Sequence, residues 1–120
     1  MSGKIASSIV NTTSGAVEAV LFGNWNISSA GFAANFTQTP INGNDAVQYR
    51  LIDSQLHSIQ EINDSLAMHG TIEIVSNNTS TTQVIPITII IQEDTLVIGF
   101  GEDMDAIKPF EGIPIVGFAQ

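Results

Sequence analysis

The sequence predicts an all-β domain, built either as an antiparallel β-sandwich or as a closed β-barrel of about seven or eight strands. Apolar and polar residues alternate through several stretches, which is the period of a strand with one buried face. Turn-forming residues separate these stretches at spacings of roughly ten to fifteen residues. The length of 120 residues suits a single domain. We place that domain at residues 16–120, after an N-terminal extension or first strand over residues 1–15.

The first predicted hairpin occupies residues 17–37. Apolar residues and one glycine fill the odd positions from Val17 to Ile27, and residues 28–31 ("SSAG") supply a turn. The alternation then resumes at Phe32. Val20 and Phe22 fall on the opposite face of the first strand, so we expect that face to be partly covered.

Residues 47–66 fit two patterns. A helical stripe is formed by Ile52, Leu56, Ile59 and Leu66, whereas Val47, Tyr49 and Leu51 alternate as in a strand. We predict a long bent strand in which a β-bulge near residues 52–54 changes the buried face.

The later strands follow in order. Residues 66–74 alternate cleanly, and "SNNTSTT" is a polar turn. The stretch "QVIPITIII" is apolar at nearly every position, which predicts a strand covered on both faces. Pro86 lacks a backbone N–H and therefore predicts an edge or a bulge. Glu93-Asp94 makes a short turn, "GEDMDAIKPFEG" a long loop or short helical turn, and "IPIVGFA" the last strand.

The charge balance excludes several classes of partner. The net charge is −9, because twelve acidic residues face only Lys4, Arg50 and Lys108. Three scattered cations form no basic patch, so we expect neither nucleic-acid binding nor docking on anionic lipid. The chain has no apolar run of membrane-spanning length, and we expect no membrane insertion.

Asparagine triplets indicate an extracytoplasmic protein. Six of the nine asparagines begin an Asn-x-Ser/Thr triplet, where chance predicts roughly 1.6, and they are Asn11, Asn26, Asn35, Asn63, Asn77 and Asn78. The alternative is that Asn, Ser and Thr cluster in turns and on polar strand faces. The start "MSGKIASSIV" has no signal-peptide pattern, so we expect Met1 to precede a mature domain.

His57 and His69 form the sharpest chemical hypothesis. They flank the turn "EINDS", and pairing of Glu61 with Ser65 around a three-residue loop would place His57 opposite His69. The same register would place Asp53 opposite Glu73. Opposed side chains are close enough to share Zn or Cu. The alternative is two histidines on a solvated polar face, and a slip of one residue would separate them.

Two weaker sites are conceivable. The acidic group Glu102, Asp103, Asp105 and Glu111 offers oxygen ligands for calcium, although a solvated loop is the favoured explanation and the EF-hand pattern is absent. Trp25 and Tyr49 could line the mouth of a barrel that takes a small apolar ligand. Core packing is the alternative for both aromatic residues.

We predict no enzyme activity and no catalytic residues. The chain has no cysteine, no Gly-x-Ser-x-Gly motif and no glycine-rich phosphate loop. Carboxylate pairs occur, but the sequence alone does not define their separation.

Four segments together resemble a known group of proteins. They are "GNWNISSAGFAANFTQTPINGN", "LAMHGTIEIVSNN", "VIPITIIIQEDTLVI" and "PFEGIPIVGFA". In this order they resemble small secreted β-rich proteins of ammonia-oxidising archaea, over roughly residues 16–119. The resemblance implies export and a cellular context where copper is common, but no particular activity. Relatives carry a His-x-His near the position of residues 48–50, and a His before the closing Phe. This chain has Tyr49, Leu51 and Pro109 there, so most of any such metal site is missing.

The prediction for function is an exported, non-enzymatic interaction or structural module of the cell envelope or extracellular space. Its expected partners are envelope proteins or further copies of itself, and it needs no cofactor. Residues 85–91 are the candidate for pairing with another chain, provided that they lie at a sheet edge. The alternative is a small-molecule or metal-binding β module that uses His57 and His69 to hold copper or zinc.

Overall fold

A computed structural model describes residues 1–11, 13–78, 82–101, 110 and 113–120. The strands form one closed antiparallel barrel in which each strand pairs with its neighbour in sequence and the first pairs with the last. The all-β prediction is therefore confirmed, and the architecture is the barrel rather than the sandwich. The strands are β1 (Ser2–Val10), β2 (Val17–Ser28), β3 (Gly31–Pro40), β4 (Val47–Ile62), β5 (Ser65–Ser76), β6 (Gln83–Gln92), β7 (Thr95–Phe100) and β8 (Ile115–Ala119).

The two ends of the barrel differ. At the end that we call the short-turn end, the β2–β3, β4–β5 and β6–β7 hairpins close through two residues each, at positions 29–30, 63–64 and 93–94. At the opposite, long-loop end, the connections cover residues 11–16, 41–46, 77–82 and 101–114. The predicted first hairpin is present, with its turn between Ser28 and Gly31.

Aliphatic and aromatic side chains fill the barrel interior. Buried isoleucines and leucines from seven of the strands form the middle of the core: Ile5, Ile9, Leu21, Leu51, Ile72, Ile74, Ile85, Ile87, Ile89, Ile91, Leu96, Ile98 and Ile115. At the short-turn end, Trp25 is buried beside Gly3 and Gly117, where an added Cβ would lie 2.8 Å and 3.2 Å from its Nε1. These glycines thus make room for the indole ring.

Four aromatic rings close the core at the long-loop end. Phe110 is fully buried, and its ring centroid lies 5.8 Å from that of Phe36, 5.1 Å from Tyr49 and 5.6 Å from Phe100. Phe110 lies in the connection between β7 and β8. Phe110 therefore plugs this end of the barrel. Its distances and angles to the three neighbouring rings are of the kind that favours contact between aromatic side chains.

The bulge predicted in β4 is present and shapes the barrel. The β4–β5 register shifts between Ile52 and Gln55, and Asp53 has a φ of 53°. The ladder between β3 and β4 ends at Ala34 and Leu51. Beyond it, the backbone N–H of Phe32 donates to the Ser54 hydroxyl at 3.0 Å. The bulge thus separates the second half of β4 from β3.

The predicted turn between β4 and β5 was one residue too long. Ile62 pairs with Ser65, so the loop is Asn63-Asp64, and these residues have φ of 48° and 67°. Asn and Asp tolerate this left-handed backbone, and positive φ at both positions is typical of the type I′ turn that suits a twisted hairpin.

The prediction that β6 is covered on both faces was also wrong. Ile85, Ile87 and Ile89 are buried, but Val84 and Ile90 on the other face are exposed. Residues 87–92 of β6 pair with β5 on one side and β7 on the other, so this part of the strand is not an edge.

Pro86 lies at a position where no neighbouring strand needs a hydrogen bond from its missing backbone N–H. The last β6–β7 pair is Ile87–Phe100, and the Pro86 carbonyl accepts a hydrogen bond from Gly101 N at 3.5 Å. The N–H and C=O of a strand residue point to the same side. The missing N–H of Pro86 therefore also faces the end of β7, where the ladder stops.

Candidate interaction surface

The two histidines are near one another, but not directly opposite. Ser58 lies opposite His69, and His57 is the extra residue of a second bulge between Leu56 and Ser58. The predicted pairing of His57 with His69 is wrong because the turn is one residue shorter. Both imidazoles are exposed. His69 Nδ1 lies 3.1 Å from Thr88 Oγ1, at hydrogen-bond distance.

Asp53 and Glu73 do meet, although the register predicted for them was wrong. Ile52 lies opposite Glu73, and Asp53 occupies the bulge beside it. A side-chain hydrogen bond with Asp53 raises the pKa of Glu73 above its usual value, and desolvation and charge repulsion add to the effect. The direction of the change indicates that a protonated Glu73 can donate a hydrogen bond to the Asp53 carboxylate.

Among the residues that the structure describes, Trp25 and Tyr49 border no common groove. Trp25 is 2% exposed and Tyr49 is 6% exposed, and they border different shallow grooves on the barrel surface. The Trp25 Nε1–H is buried without a hydrogen-bond partner among the described residues. Burial raises the pKa of the Tyr49 hydroxyl. Both residues thus belong to the packed interior.

The asparagines of the predicted glycosylation triplets lie at the surface. Asn26, Asn35, Asn63, Asn77 and Asn78 are exposed, and Asn11 is partly exposed. Asn11 has a structural role, because its Oδ1 accepts hydrogen bonds from Thr13 N and Ser14 N, both at 2.9 Å, and its Nδ2 donates to Glu18 at 2.9 Å.

The predicted calcium ligands Glu102, Asp103, Asp105 and Glu111 lie outside the described residues. Within the described part of the chain, no group of three or more His, Cys, Asp or Glu side chains could hold a metal ion. In that same part, no helix is long and apolar enough to cross a membrane.

An apolar row crosses four strands on the outside of the barrel. Ala67 of β5 lies opposite Ile90, Ile90 opposite Val97, and Val97 opposite Val116 of β8. Two residues beyond Val116, Phe118 lies on the same outer face. Ile90, Val116 and Phe118 are 39%, 39% and 44% exposed. We call these five residues the apolar band.

The band continues into an apolar groove at the junction of β1 with β8. The β1–β8 ladder comprises only three pairs, from Gly3–Ala119 to Ile5–Gly117. Beyond it lies a groove of about 480 Å³, which is lined by Ala6, Ser7, Ser8, Val10, Val97, Ile113, Pro114 and Val116. The band and the groove share Val97 and Val116, so they form one continuous surface.

The band carries no charged side chain. Lys4 lies opposite Phe118 at its border, and Lys4 Nζ donates to Asn24 Oδ1 at 2.6 Å. A contiguous apolar surface with a polar border is typical of a protein-binding site.

Sequence reasoning missed the band. On each strand only one or two of its residues stand out, and a single exposed apolar residue is normal on any protein surface. Their alignment depends on the registers of three ladders, which the sequence leaves open. The nearly continuous apolar run of β6 is the signal that the sequence does contain, but such a run equally predicts a strand buried on both faces.

No protein-family model, no curated protein and no solved structure matches this chain.

Proposed function

We propose that the protein is an exported, non-enzymatic interaction module of the cell envelope or extracellular space. It binds a protein partner through the apolar band. The observation that carries this proposal is the direct cross-strand alignment of apolar side chains on the outside of a barrel whose inside is already packed.

The packed interior favours the outer surface as the place of function. Small barrels hold a ligand only when side chains leave space inside. Here aliphatic residues fill the middle, Trp25 fills one end and Phe110 closes the other. The described grooves are open to the outside, so contact with a partner is the role that the geometry supports best.

The chemistry of the band specifies the partner. Burial of the band would be favourable only against an apolar surface. The gain in free energy is roughly 25 cal/mol for each Å² of apolar surface removed from water. The partner is therefore a protein with an uncharged apolar patch, and not a polyanion.

Export is supported by the surface composition and by the resemblance to secreted archaeal proteins. Five of the six asparagines in glycosylation triplets are exposed, where a glycan could be attached without disturbing the core. Measurement of the protein's location in its native cells tests this part of the proposal. Recovery in the cytoplasmic fraction alone would contradict it.

Substitution within the band tests the interaction. Proteins cross-linked to the tagged chain on native envelope material are identified, and each candidate is then purified and titrated against Val116→Asp. Val84→Asp is the matched control, because Val84 is 55% exposed on the outer face of β6 but lies away from the band. We expect Val116→Asp to abolish binding that Val84→Asp preserves. Equal binding by both variants would contradict the proposal.

Copper or zinc binding by His57 and His69 remains a second candidate. The observation that favours it is the second β4 bulge, which leaves both exposed imidazoles beside the Ser58–His69 pair. Calorimetric titration with Cu(II) tests it. Micromolar binding that is lost in both His57→Ala and His69→Ala supports the site, and millimolar or weaker binding rejects it.

A further inference from the structure

Six side chains form a regular grid on the outer face of β2, β3 and β4. They stand in two rows of directly opposed residues, with Phe22, Thr37 and Gln48 in one row and Asn24, Asn35 and Arg50 in the next. Directly opposed residues have Cβ atoms about 4.5–5.5 Å apart, so neighbours within a row can reach the same small ligand. We call these six residues the polar grid.

The polar grid faces outward and borders a shallow groove. Phe36 and Tyr49, which lie between the two rows, point inward and are buried. The groove has a volume of about 410 Å³, within the range of roughly 300–1,000 Å³ that is usual for small-molecule sites. Among the described residues that line it, none is acidic. The groove is therefore open to a ligand that carries a negative charge.

Phe22 is an aromatic residue left open to solvent. Its side chain is 60% exposed. The residues opposite it on the two neighbouring strands are Ala6 and Thr37, which are too small to cover the ring. The face of an aromatic ring is apolar and electron-rich, and it attracts C–H groups that lie flat against it. Phe22 thus supplies an apolar wall to an otherwise polar groove.

Arg50 is a cation without a carboxylate partner. It is exposed, and it forms no ion pair with any residue that the structure describes. Val75 lies opposite it on β5, and Glu73, two residues away from Val75, is hydrogen-bonded to Asp53 instead. A guanidinium group holds a carboxylate through two parallel N–H donors. Arg50 therefore specifies a carboxylate on the ligand.

We propose that the polar grid binds a uronic acid unit of a glycan. Arg50 holds the carboxylate of the sugar, and Phe22 packs against the apolar C–H face of the sugar ring. The amides of Asn24 and Gln48 bind the ring hydroxyls, since amide and hydroxyl groups both have donor and acceptor atoms. The proposal goes beyond protein binding by the apolar band, which lies on β5 to β8.

The combination of side chains selects a sugar acid over other ligands. A phosphate or acetate ion would engage Arg50 but leave Phe22 unused, and a neutral apolar ligand would leave Arg50 unused. The net charge of −9 repels a polyanion. A hydroxylated ring with a single carboxylate uses the whole grid at little electrostatic cost. In this arrangement Asn35 contacts the ligand and carries no glycan of its own.

NMR titration of the intact protein tests the proposal. The probes are the methyl glycosides of glucuronic, galacturonic and mannuronic acid, each compared with its neutral hexoside. Mass spectrometry first establishes that Asn35 is unmodified. We expect at least one uronide to shift the amide resonances of residues 22–24, 35–37 and 48–50. It should bind about tenfold or more tightly than its neutral counterpart, because only the uronide forms the charge-assisted pair.

Two substitutions of equal charge separate the Arg50 contact from general electrostatics. Arg50→Gln should bring the uronide to the affinity of the neutral hexoside. Lys4→Gln is the matched control, because Lys4 lies opposite Asn24 but outside the groove, and glutamine can still donate to Asn24. Since an exposed charge away from the ligand is screened by salt, this control should change the uronide affinity less than about twofold.

The aromatic contact is tested separately. Phe22→Ala should weaken the uronide and the hexoside alike, by about fivefold or more, because both sugars lose the ring beneath them. Val84→Ala removes apolar side-chain atoms from an exposed position outside the groove and should leave both affinities unchanged.

The proposal would be overturned by any of three results. They are the absence of these amide shifts with every uronide up to about 20 mM, acetate binding as tightly as the uronides, or an equal loss of affinity in Arg50→Gln and Lys4→Gln. Circular dichroism of each variant establishes that it is folded before titration. Val116→Asp should bind the uronide as the wild type does, so this inference and the proposed function can fail separately.

Discussion

Ionisation of Glu73 opposes folding. Its pKa is raised in the folded protein by the hydrogen bond with Asp53, whereas the unfolded chain releases the same proton near pH 4.5. Between these two values the folded state holds more protons than the unfolded state, so stability falls as the pH rises through this window. Above the raised pKa the loss is complete.

Glu73→Gln should therefore stabilise the protein at neutral pH, because an amide cannot repel Asp53. Urea unfolding at a series of pH values measures this. Below pH 4 the variant and the wild type should have similar stability, and above the window the variant should be more stable. Asp53→Asn should act in the same direction, whereas Glu61→Gln on the same hairpin serves as the control. An unchanged pH profile in Glu73→Gln would contradict the Asp53–Glu73 hydrogen bond as the cause of the raised pKa.

Trp25 combines a large buried ring with an unsatisfied donor. Its Nε1–H is buried without a partner in the described part of the barrel. Such a group costs roughly 1–3 kcal/mol relative to a paired one. Ring burial offsets this cost, since a buried aromatic side chain removes 150–250 Å² from water as a typical range.

Trp25→Ala should reduce the free energy of unfolding by about 3–5 kcal/mol. Trp25→Phe should cost clearly less, because it keeps an aromatic ring and removes the unpaired N–H. Urea denaturation followed by far-UV circular dichroism compares the two variants. Equal losses would mean that the indole N–H finds a partner, for example a bound water.

At the scale of single elements, the β4–β5 turn sets the register in which the longest hairpin begins, from Ile62–Ser65 to Ser58–His69. Asn63 and Asp64 both have positive φ. Asp64→Gly should raise stability by about 0.5–1 kcal/mol, because glycine adopts this backbone without the steric cost of a side chain. Thermal unfolding measures the gain. Asp64→Val, which is β-branched and strained there, should lower the melting temperature, and a gain with both residues would argue against the turn geometry.

The hairpins could be predicted from the sequence because a strand with one buried face leaves a period-two pattern. Residues 17–37 show this in full, with the turn where expected. The β4–β5 register could not be predicted, since a two-residue and a three-residue loop both fit "EINDS". Which of the two loops forms depends on whether Asn63 and Asp64 adopt positive φ, and the sequence does not reveal this. The His57–His69 hypothesis depended on that single residue.

The two-residue alternation of a strand also explains one of the Asn-x-Ser/Thr triplets. Asn35 and Thr37 lie on the outer side of β3 with the buried Phe36 between them. A polar strand face thus produces Asn-x-Thr by its geometry alone. The apolar band is the opposite case, because its residues come together only when β5 to β8 are placed side by side.

At the scale of the whole molecule, Phe110 ties the long-loop end of the barrel together. It contacts rings from β3, β4 and β7. Phe110→Ala should cost about 3–5 kcal/mol, as expected for a fully buried aromatic residue. Phe110→Leu should cost less because it fills more of the space. Urea unfolding gives both values, and a dye that binds exposed apolar surface should fluoresce with Phe110→Ala. A loss below 1 kcal/mol would show that the plug is dispensable.

The sequence alone could not distinguish a sandwich from a barrel, because the two architectures differ here in whether the first strand pairs with the last. Eight strands with alternating faces suit both architectures. Only the three pairs between β1 and β8 close the sheet. These pairs include Gly3 and Gly117 on β1 and β8, next to Trp25, where the closing strands need space for a ring.

The short β1–β8 ladder also has a consequence for the order of folding. Every other ladder joins strands that are neighbours in sequence, through connections of at most 14 residues, so each of these pairings closes a far smaller loop than the β1–β8 pairing does. Direct pairing of Ile5 with Gly117 in the unfolded chain would instead close a loop of more than about a hundred residues. Coiling of the sheet from β2 to β7 brings the two strands together first. Closure should thus be the last and slowest step, and the seam should be the first part of the barrel to open on unfolding.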